Sequence, residues 1–329
     1  MEHQLAQGAS ALKVPSSGSL VVVGNFDGVH RGHVRLVSDA VGEAVRRGLL
    51  PVVLTFEPHP ASVIRGAPVP RLTTLERRCE LLARVHPALA LVVEPFTPEL
   101  ALLLPDEFVR RLLVDTLDAR EVVVGKNFRF GRERRGDVEV LQRMGAVFGF
   151  GARAVILAGD GSGPFSSSRA RSALASADLQ AFLEVVGRPH SVSGPVVAGR
   201  RLGRRLGMPT ANLDAVPEAL PPRGVYACLV EELPPGGPPR RLGAAAVNVG
   251  TRPTVDGEGE TIKVEAHVLS FAGDLYGRCL RIHFEVKLRD ERRFADLDEL
   301  RDAMARDLAE VEARLRERAR ETARPGPWY

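Results

Sequence analysis

His30 and His33 lie three residues apart inside the segment Gly24-Asn25-Phe26-Asp27-Gly28-Val29-His30-Arg31-Gly32-His33. An apolar run, Leu20-Val21-Val22-Val23, precedes it and reads as a buried strand. Val34, Val37, Val41 and Val45 follow at helical steps. A strand, a glycine-rich turn and a helix N-terminus direct free backbone N–H groups and the positive end of a helix dipole at one spot, which suits an anion. Imidazoles there can donate to phosphate oxygens, and Gly32 lets the backbone approach a ligand closely. No Lys-Ser/Thr pair follows the glycines, so this is not a Walker loop. The plainer alternative is a strand-turn-helix with two surface histidines.

Other residue clusters also carry usable chemistry. Thr55-Phe56-Glu57-Pro58-His59-Pro60 and Gly125-Lys126-Asn127-Phe128-Arg129-Phe130-Gly131 each follow a strand-like run. Ser166-Ser167-Ser168-Arg169-Ala170-Arg171 opens a helical segment, and Arg171 supplies a fork of donors that matches phosphate. Thr210 and Asn212 alternate on one strand-like run, as do Glu265 and His267 on another, so each pair faces one way.

The first half alternates strand signals, at 20–24, 51–56, 89–94, 121–125 and 152–157, with helical segments. Thr73-Thr74-Leu75-Glu76 reads as a capping box, and Pro105-Asp106-Glu107 as a helix start. This pattern predicts a parallel sheet with helices on both faces and ligands at the carboxyl ends of the strands. The character changes after Val186. Short β-like runs at 191–198, 210–213, 225–231, 244–249, 262–270 and 280–288 predict an antiparallel barrel or sandwich. Leu297, Leu300, Met304, Leu308, Val311 and Leu315 form one apolar stripe on a terminal helix, capped by Asp296 and Glu299, which would cover the barrel or, as the alternative, bind a partner. The chain is therefore expected to hold an α/β domain at 1–186 and a β domain at 187–329.

Composition narrows the class. The chain has 329 residues, enough for two domains, and 44% hydrophobic against 26% charged residues, as in a soluble globular protein. A formal charge of +4 is too small to argue for nucleic acid. Cys79, Cys228 and Cys279 are far apart and lack metal-site spacing, so they read as thiols in a reducing compartment. The N-terminus lacks a signal pattern and no apolar run reaches membrane-spanning length, which points to the cytoplasm and away from a membrane.

The histidine segment resembles the His-x-Gly-His signature of the nucleotidyltransferase superfamily. Joined by the 55–60, 125–131, Arg135-Gly136-Asp137 and 166–171 blocks, it resembles the FMN adenylyltransferase (FAD synthetase) module of bacterial bifunctional riboflavin kinase/FAD synthetases. The second half resembles their riboflavin kinase module. It carries Gly199, Gly203-Arg204-Arg205-Leu206-Gly207-Met208-Pro209-Thr210-Ala211-Asn212, Gly224-Val225-Tyr226-Ala227, Val247-Asn248-Val249-Gly250-Thr251-Arg252-Pro253-Thr254, Val264-Glu265-Ala266-His267 and Asp274-Leu275-Tyr276-Gly277. The likeness runs from about residue 20 to 320, in the family's module order. Ser168 stands where the family usually has Thr, Met208 for a usual Phe, and Asp290 for a Pro after Arg289. The last change puts the loop geometry beside a flavin contact in question.

The resemblance implies a Rossmann-like nucleotidyltransferase domain followed by an antiparallel kinase barrel with a terminal helix. It implies two ATP-dependent steps, riboflavin to FMN and FMN to FAD with release of pyrophosphate. In the first module it assigns catalysis to His30 and His33, and ATP binding to Gly24, Asn25, Phe26, Asp27, Ser167, Ser168 and Arg171. His59 and Asn127 are its flavin candidates; His59 can instead brace its loop, Asn127 can be a turn residue, and Asp27 a turn former or a Mg2+-linked carboxylate. In the second module Gly199, Gly203, Gly207, Thr210 and Asn212 would hold ATP, the last two also Mg2+. Glu265 would be the general base, with Asn248 and Arg289 on the flavin. Riboflavin, FMN and ATP are the implied ligands, with transient delivery of FAD to apo-flavoproteins. A nucleotidyltransferase for another substrate and a non-catalytic flavin-responsive regulator are the competing functions.

Overall fold

A computed structural model describes residues 4–198, 208–253, 260–319 and 326–329. Two compact units divide between Ser167 and Ser168.

In the first unit, β1 (Leu5–Gln7), β2 (Ser19–Val23), β3 (Leu50–Glu57), β4 (Ala90–Pro95), β5 (Ala119–Gly125) and β6 (Gly151–Val155) form one parallel sheet in the order β1-β4-β3-β2-β5-β6. The strand order reverses between β2 and β5, which opens a crevice at their carboxyl ends. Helices α1 (Arg31–Arg46), α2 (Pro60–Arg65), α3 (Leu75–Ala83), α4 (Pro98–Ala101), α5 (Pro105–Phe108) and α6 (Val138–Phe148) connect them, with a small hairpin of β7 (Gly159–Asp160) and β8 (Gly163–Pro164) near the end. Successive residues of the central strands enter opposite cores. Val21 and Val23 join Leu54, Val92 and Val122 on one face, while Leu20 and Val22 join Val53, Leu91 and Val123 on the other. That is why these strands read as continuous apolar runs.

Three local expectations shift. The buried stripe of α1 is Leu36, Val37, Ala40, Val41 and Ala44, while Val34 and Val45 stay exposed at its edge. The small alanines carry the close packing, which a search for valines passes over. The cap of α3 is Thr74, whose hydroxyl accepts from Arg77 N–H at 3.1 Å. Thr73 is thereby released for another role. Strand β1 has no apolar run of its own and borrows its place by pairing with β4.

The second unit begins within α7 (Ser167–Ala175) and includes α8 (Leu179–Val186). Phe182 of α8 packs edge-on against His190 at 5.2 Å. Compactness therefore divides the chain earlier than composition, which changes at 186/187. The strands β9 (His190–Val197), β10 (Ala211–Leu213), β11 (Gly224–Glu232), β12 (Arg240–Pro253), β13 (Glu260–Val268) and β14 (Cys279–Arg289) close an antiparallel barrel in the order β10-β13-β12-β11-β14-β9. The terminal helix α9 (Leu297–Ala319) lies against β11 and β12. Its start is held as expected: Asp296 accepts from Glu299 N–H at 2.8 Å, and Glu299 accepts from Ala295 N–H. Of the expected stripe, Val311 and Leu315 are buried, whereas Leu297 is exposed. Cys79, Cys228 and Cys279 are free thiols, and burial raises the pKa of each.

Candidate active sites

The turn after β2 is wound tightly. Phe26, Gly28 and Val29 have φ of 52°, 78° and 37°, three left-handed residues within one turn that only local constraint can hold. Asp27 supplies that constraint. Its buried carboxylate accepts from the N–H groups of Leu72 and Thr73 at 3.0 and 3.1 Å, and Thr73 Oγ1 accepts from Gly28 N–H at 3.1 Å. Asp27 is thus a turn brace in its own unit, and Thr73 completes the brace.

His30 is the N-cap of α1, with its Nδ1 accepting from His33 N–H at 3.3 Å. The two imidazoles stack at 3.5 Å, and Phe26 meets His33 edge-on at 5.0 Å. Gly32 is needed because a Cβ there would lie 3.1 Å from His30 Nδ1 and 3.3 Å from the Phe165 carbonyl. On the side its Cβ would occupy, Gly32 packs against the chain's own ring and backbone. Ser167 Oγ donates to the Asp27 carbonyl at 2.8 Å. Ser168 and Arg171 follow on α7 in the second unit, the first exposed and the second half-buried.

Next to this turn is a cavity of about 760 Å³ at the carboxyl edge of the sheet. Gly24, Asn25, His59 and Asn127 all line it. His59 caps α2, its Nδ1 accepting from Ala61 N–H at 3.1 Å, so it braces the loop while facing the cavity. Asn127 is exposed at the rim. The walls are rings: Phe56 lies 5.7 Å from Phe96 and 6.3 Å from Phe108, and Phe130 lies 5.5 Å from Phe108 and stacks on Phe128 at 5.5 Å. Arg129, Arg132 and Arg134 stand at its edge. Sequence reasoning quoted Phe56, Phe128 and Phe130 without assigning them a role and missed Phe96 and Phe108. The only available signal was the spread of phenylalanines over four segments. Arg78, also missed, is buried and joins the two loops: it donates to the carbonyls of Asn25 and Phe56 and to Glu57 at 3.0, 3.2 and 2.8 Å.

In the barrel, register assembles the second site. Asn212 is opposite Glu265, Glu265 opposite Asn248, Asn248 opposite Val225, and Val225 opposite Arg289. Directly opposed residues share a face, so one row crosses the outer wall of the barrel. Glu265, Asn248, Arg289, Thr210 and His267 line a cavity of about 280 Å³ there, closed by Leu300, Met304, Asp307 and Leu308 of α9. Thr210 also lines a neighbouring pocket with Asn212. His267 Nδ1 is 2.7 Å from the Pro209 carbonyl and holds the approach to Thr210. Arg289 grips Asp307 through both carboxylate oxygens, at 2.9 and 2.8 Å. Asp307 was missed because its partner is on another element. Asp290 is compatible with this geometry: its exposed carboxylate pairs with Lys287 at 2.6 Å and its carbonyl accepts from Arg289. Gly224 is required beneath the same residue, since a Cβ would fall 2.6 Å from the Arg289 carbonyl. Gly199, Gly203 and Gly207 lie outside the described residues.

A family model described as FAD synthetase matches residues 13–169, and one described as riboflavin kinase matches residues 186–315. The bifunctional riboflavin kinase/FMN adenylyltransferase of Escherichia coli K12 is 39% identical over 306 residues, 93% of each chain. The chain belongs to this bifunctional riboflavin kinase/FMN adenylyltransferase family. The family's Pseudomonas fluorescens member is 37% identical over 94% of this chain and 97% of its own. A solved structure described as a macrolide-efflux protein from Streptococcus pneumoniae superposes with a TM-score of 0.79 at 27% identity, over 95% of this chain and 99% of its own. Among the described residues, no helix is long and apolar enough to cross a membrane.

Proposed function

We propose that residues 1–186 adenylylate FMN with ATP, giving FAD and pyrophosphate, and that residues 187–329 phosphorylate riboflavin with a second ATP, giving FMN and ADP. The supporting observation is the distribution of the two motif sets. The histidine turn and the Glu265 row fall in different compact units, in the order of the two family models.

In the first unit the FMN phosphate attacks the α-phosphorus of ATP. His30 and His33, held stacked at the start of α1, donate to phosphate oxygens as charge shifts. Gly24, Asn25 and Phe26 pass under the nucleotide, braced by Asp27, with Ser167 for the outer phosphates; Ser168 and Arg171, which fall in the second compact unit, are kept as ATP candidates on the family resemblance alone. The phenylalanine-walled cavity receives the flavin rings, with His59 and Asn127 as polar contacts.

In the barrel Glu265 accepts the proton of the riboflavin 5′-hydroxyl as that oxygen attacks the γ-phosphorus. Asn248 and Arg289 contact the flavin; Gly199, Gly203 and Gly207, outside the described residues, are kept as ATP candidates on the family resemblance alone. Thr210 and Asn212 offer uncharged oxygens, and among the described residues no group of three or more His, Cys, Asp or Glu forms a metal cluster. That donor set fits Mg2+, which takes few protein ligands and completes its shell with phosphate and water. When bound, the ion neutralises phosphate charge. The cytoplasm is the proposed compartment, and apo-flavoproteins the proposed recipients of FAD.

The test is incubation of the full chain with ATP–Mg2+ and riboflavin, and separately with ATP–Mg2+ and supplied FMN, with flavins and nucleotides separated by chromatography. FMN should form first and FAD second, with one ADP and one pyrophosphate per FAD. Adenylylation without FMN formation would leave a nucleotidyltransferase carrying an inert barrel. Flavin binding without turnover would leave a regulator.

A further inference from the structure

The outer wall of β11 and β14 carries charge that is shut away from water. Glu231 and His283 are fully buried and Arg281 is 5% exposed. Part of their cover is the segment Pro327-Trp328-Tyr329, which lies beyond residue 315, where the riboflavin kinase match ends. Trp328 N–H donates to Glu231 at 2.9 Å, and its indole N–H donates to the Val230 carbonyl at 2.9 Å. Arg241 donates to the Pro327 carbonyl at 2.8 Å and lies 4.5 Å over the Trp328 ring. Tyr329 O–H bonds Glu285, and Arg318 of α9 bonds the same oxygen.

This segment is fastened to the barrel and to α9 together. The Trp328 ring shares a core with Ala227 and Leu229 of β11 and with Val311 and Leu315 of α9. Earlier turns of the same helix supply Leu300, Met304, Asp307 and Leu308 to the 280 Å³ cavity. A helix moves as a rigid body over a few turns, so the seat of Val311 and Leu315 sets the position of Asp307 and, through it, of the Arg289 guanidinium.

We propose that Trp328 is a positioning residue for the kinase step: the 326–329 segment is a strap that seats α9 and so fixes the width of the riboflavin cavity. The proposal rests on reading that cavity as the riboflavin site. Trp328→Ala should raise the KM for riboflavin about tenfold while kcat stays within about threefold, because binding geometry is lost and the reacting groups are not. Trp328→Phe keeps a ring beneath Arg241 and should recover most of the loss. Adenylylation of supplied FMN should not change.

The measurement is steady-state kinase kinetics on the full-length variants, with folding checked by circular dichroism. An unchanged KM in folded Trp328→Ala overturns the proposal, as does a fall in kcat at constant KM. If Trp328→Ala does not fold, Arg241→Met decides: a several-fold rise in KM supports the strap, and no rise overturns it. Glu265→Gln separates this failure from failure of the site itself, since wild-type kinase rates in that variant would overturn the site and not the strap.

Discussion

The histidine turn and the barrel cavity, proposed for adenylyl transfer and for the kinase step, are built in opposite ways. The first draws Gly24 to His33 from one continuous segment, and its defining contacts, His30 with His33 and Asp27 with the 72–73 backbone, serve that one turn. The second draws Glu265, Asn248 and Arg289 from three strands and Asp307 from a helix. A site built on one turn is sensitive to backbone conformation at that turn. A site built across strands is sensitive to register and to whatever seats its cover.

The comparison is broken most decisively at Glu265. Glu265→Gln keeps the shape of the row and removes the proton acceptor, so FMN formation should fall by roughly 10²–10⁴-fold. Adenylylation of supplied FMN should persist, and an assay of both steps on one preparation reads the contrast. Loss of both steps in a folded variant would mean that the two sites are not independent.

His33→Ala is the matching test in the sheet unit. It removes a donor from the stacked pair and leaves strand, turn and helix in place. FAD formation should drop at least about a hundredfold while FMN accumulates. A time course of flavin species checks this, and FAD at the wild-type rate would reduce the histidine turn to a structural element.

Gly28→Ala sharpens the claim that the turn is conformationally demanding. At φ 78°, the new Cβ would lie 2.8 Å from Leu72 Cδ1. The sheet unit should lose about 1–3 kcal/mol. The melting of that unit should therefore fall by several degrees, with barrel melting unchanged, as seen by calorimetry.

The smallest expected effect is an acid sensitivity confined to the barrel. Burial alone would raise the pKa of Glu231, but the His283 ring 3.3 Å away and the Arg281 guanidinium 2.9 Å away hold it down to about 2, from an ordinary 4.5. A carboxylate with a depressed pKa stabilises the fold above its ordinary value, and that contribution is lost as pH falls. The window is therefore from pH 4.5 down toward about 2. Glu218 and Glu285, both raised first by burial, act in the opposite sense. Trp328 is the chain's one tryptophan and touches Glu231, so its emission reports this unit. The emission should begin to shift below pH 4.5, and Glu231→Gln should flatten that response.

Much of the molecule was legible without coordinates because its signals are local. Apolar runs marked the central strands, turn residues bounded the barrel strands, and a three-and-four spacing marked α9. The histidine turn was legible for the same reason, since its residues are neighbours in the chain. Other parts depended on distant partners. Strand β1 exists because β4 offers it an edge. Asp27 and Thr73 form a brace only when residues 46 apart meet. Cavity walls of Phe96, Phe108 and Asp307 follow from packing between elements, which no spacing records. Element types, the glycine-dependent turn and the available chemical groups follow from the order of residues. Tertiary structure alone decided which of those groups share a cavity, because closing the barrel and reversing the sheet order set registers that depend on the whole unit.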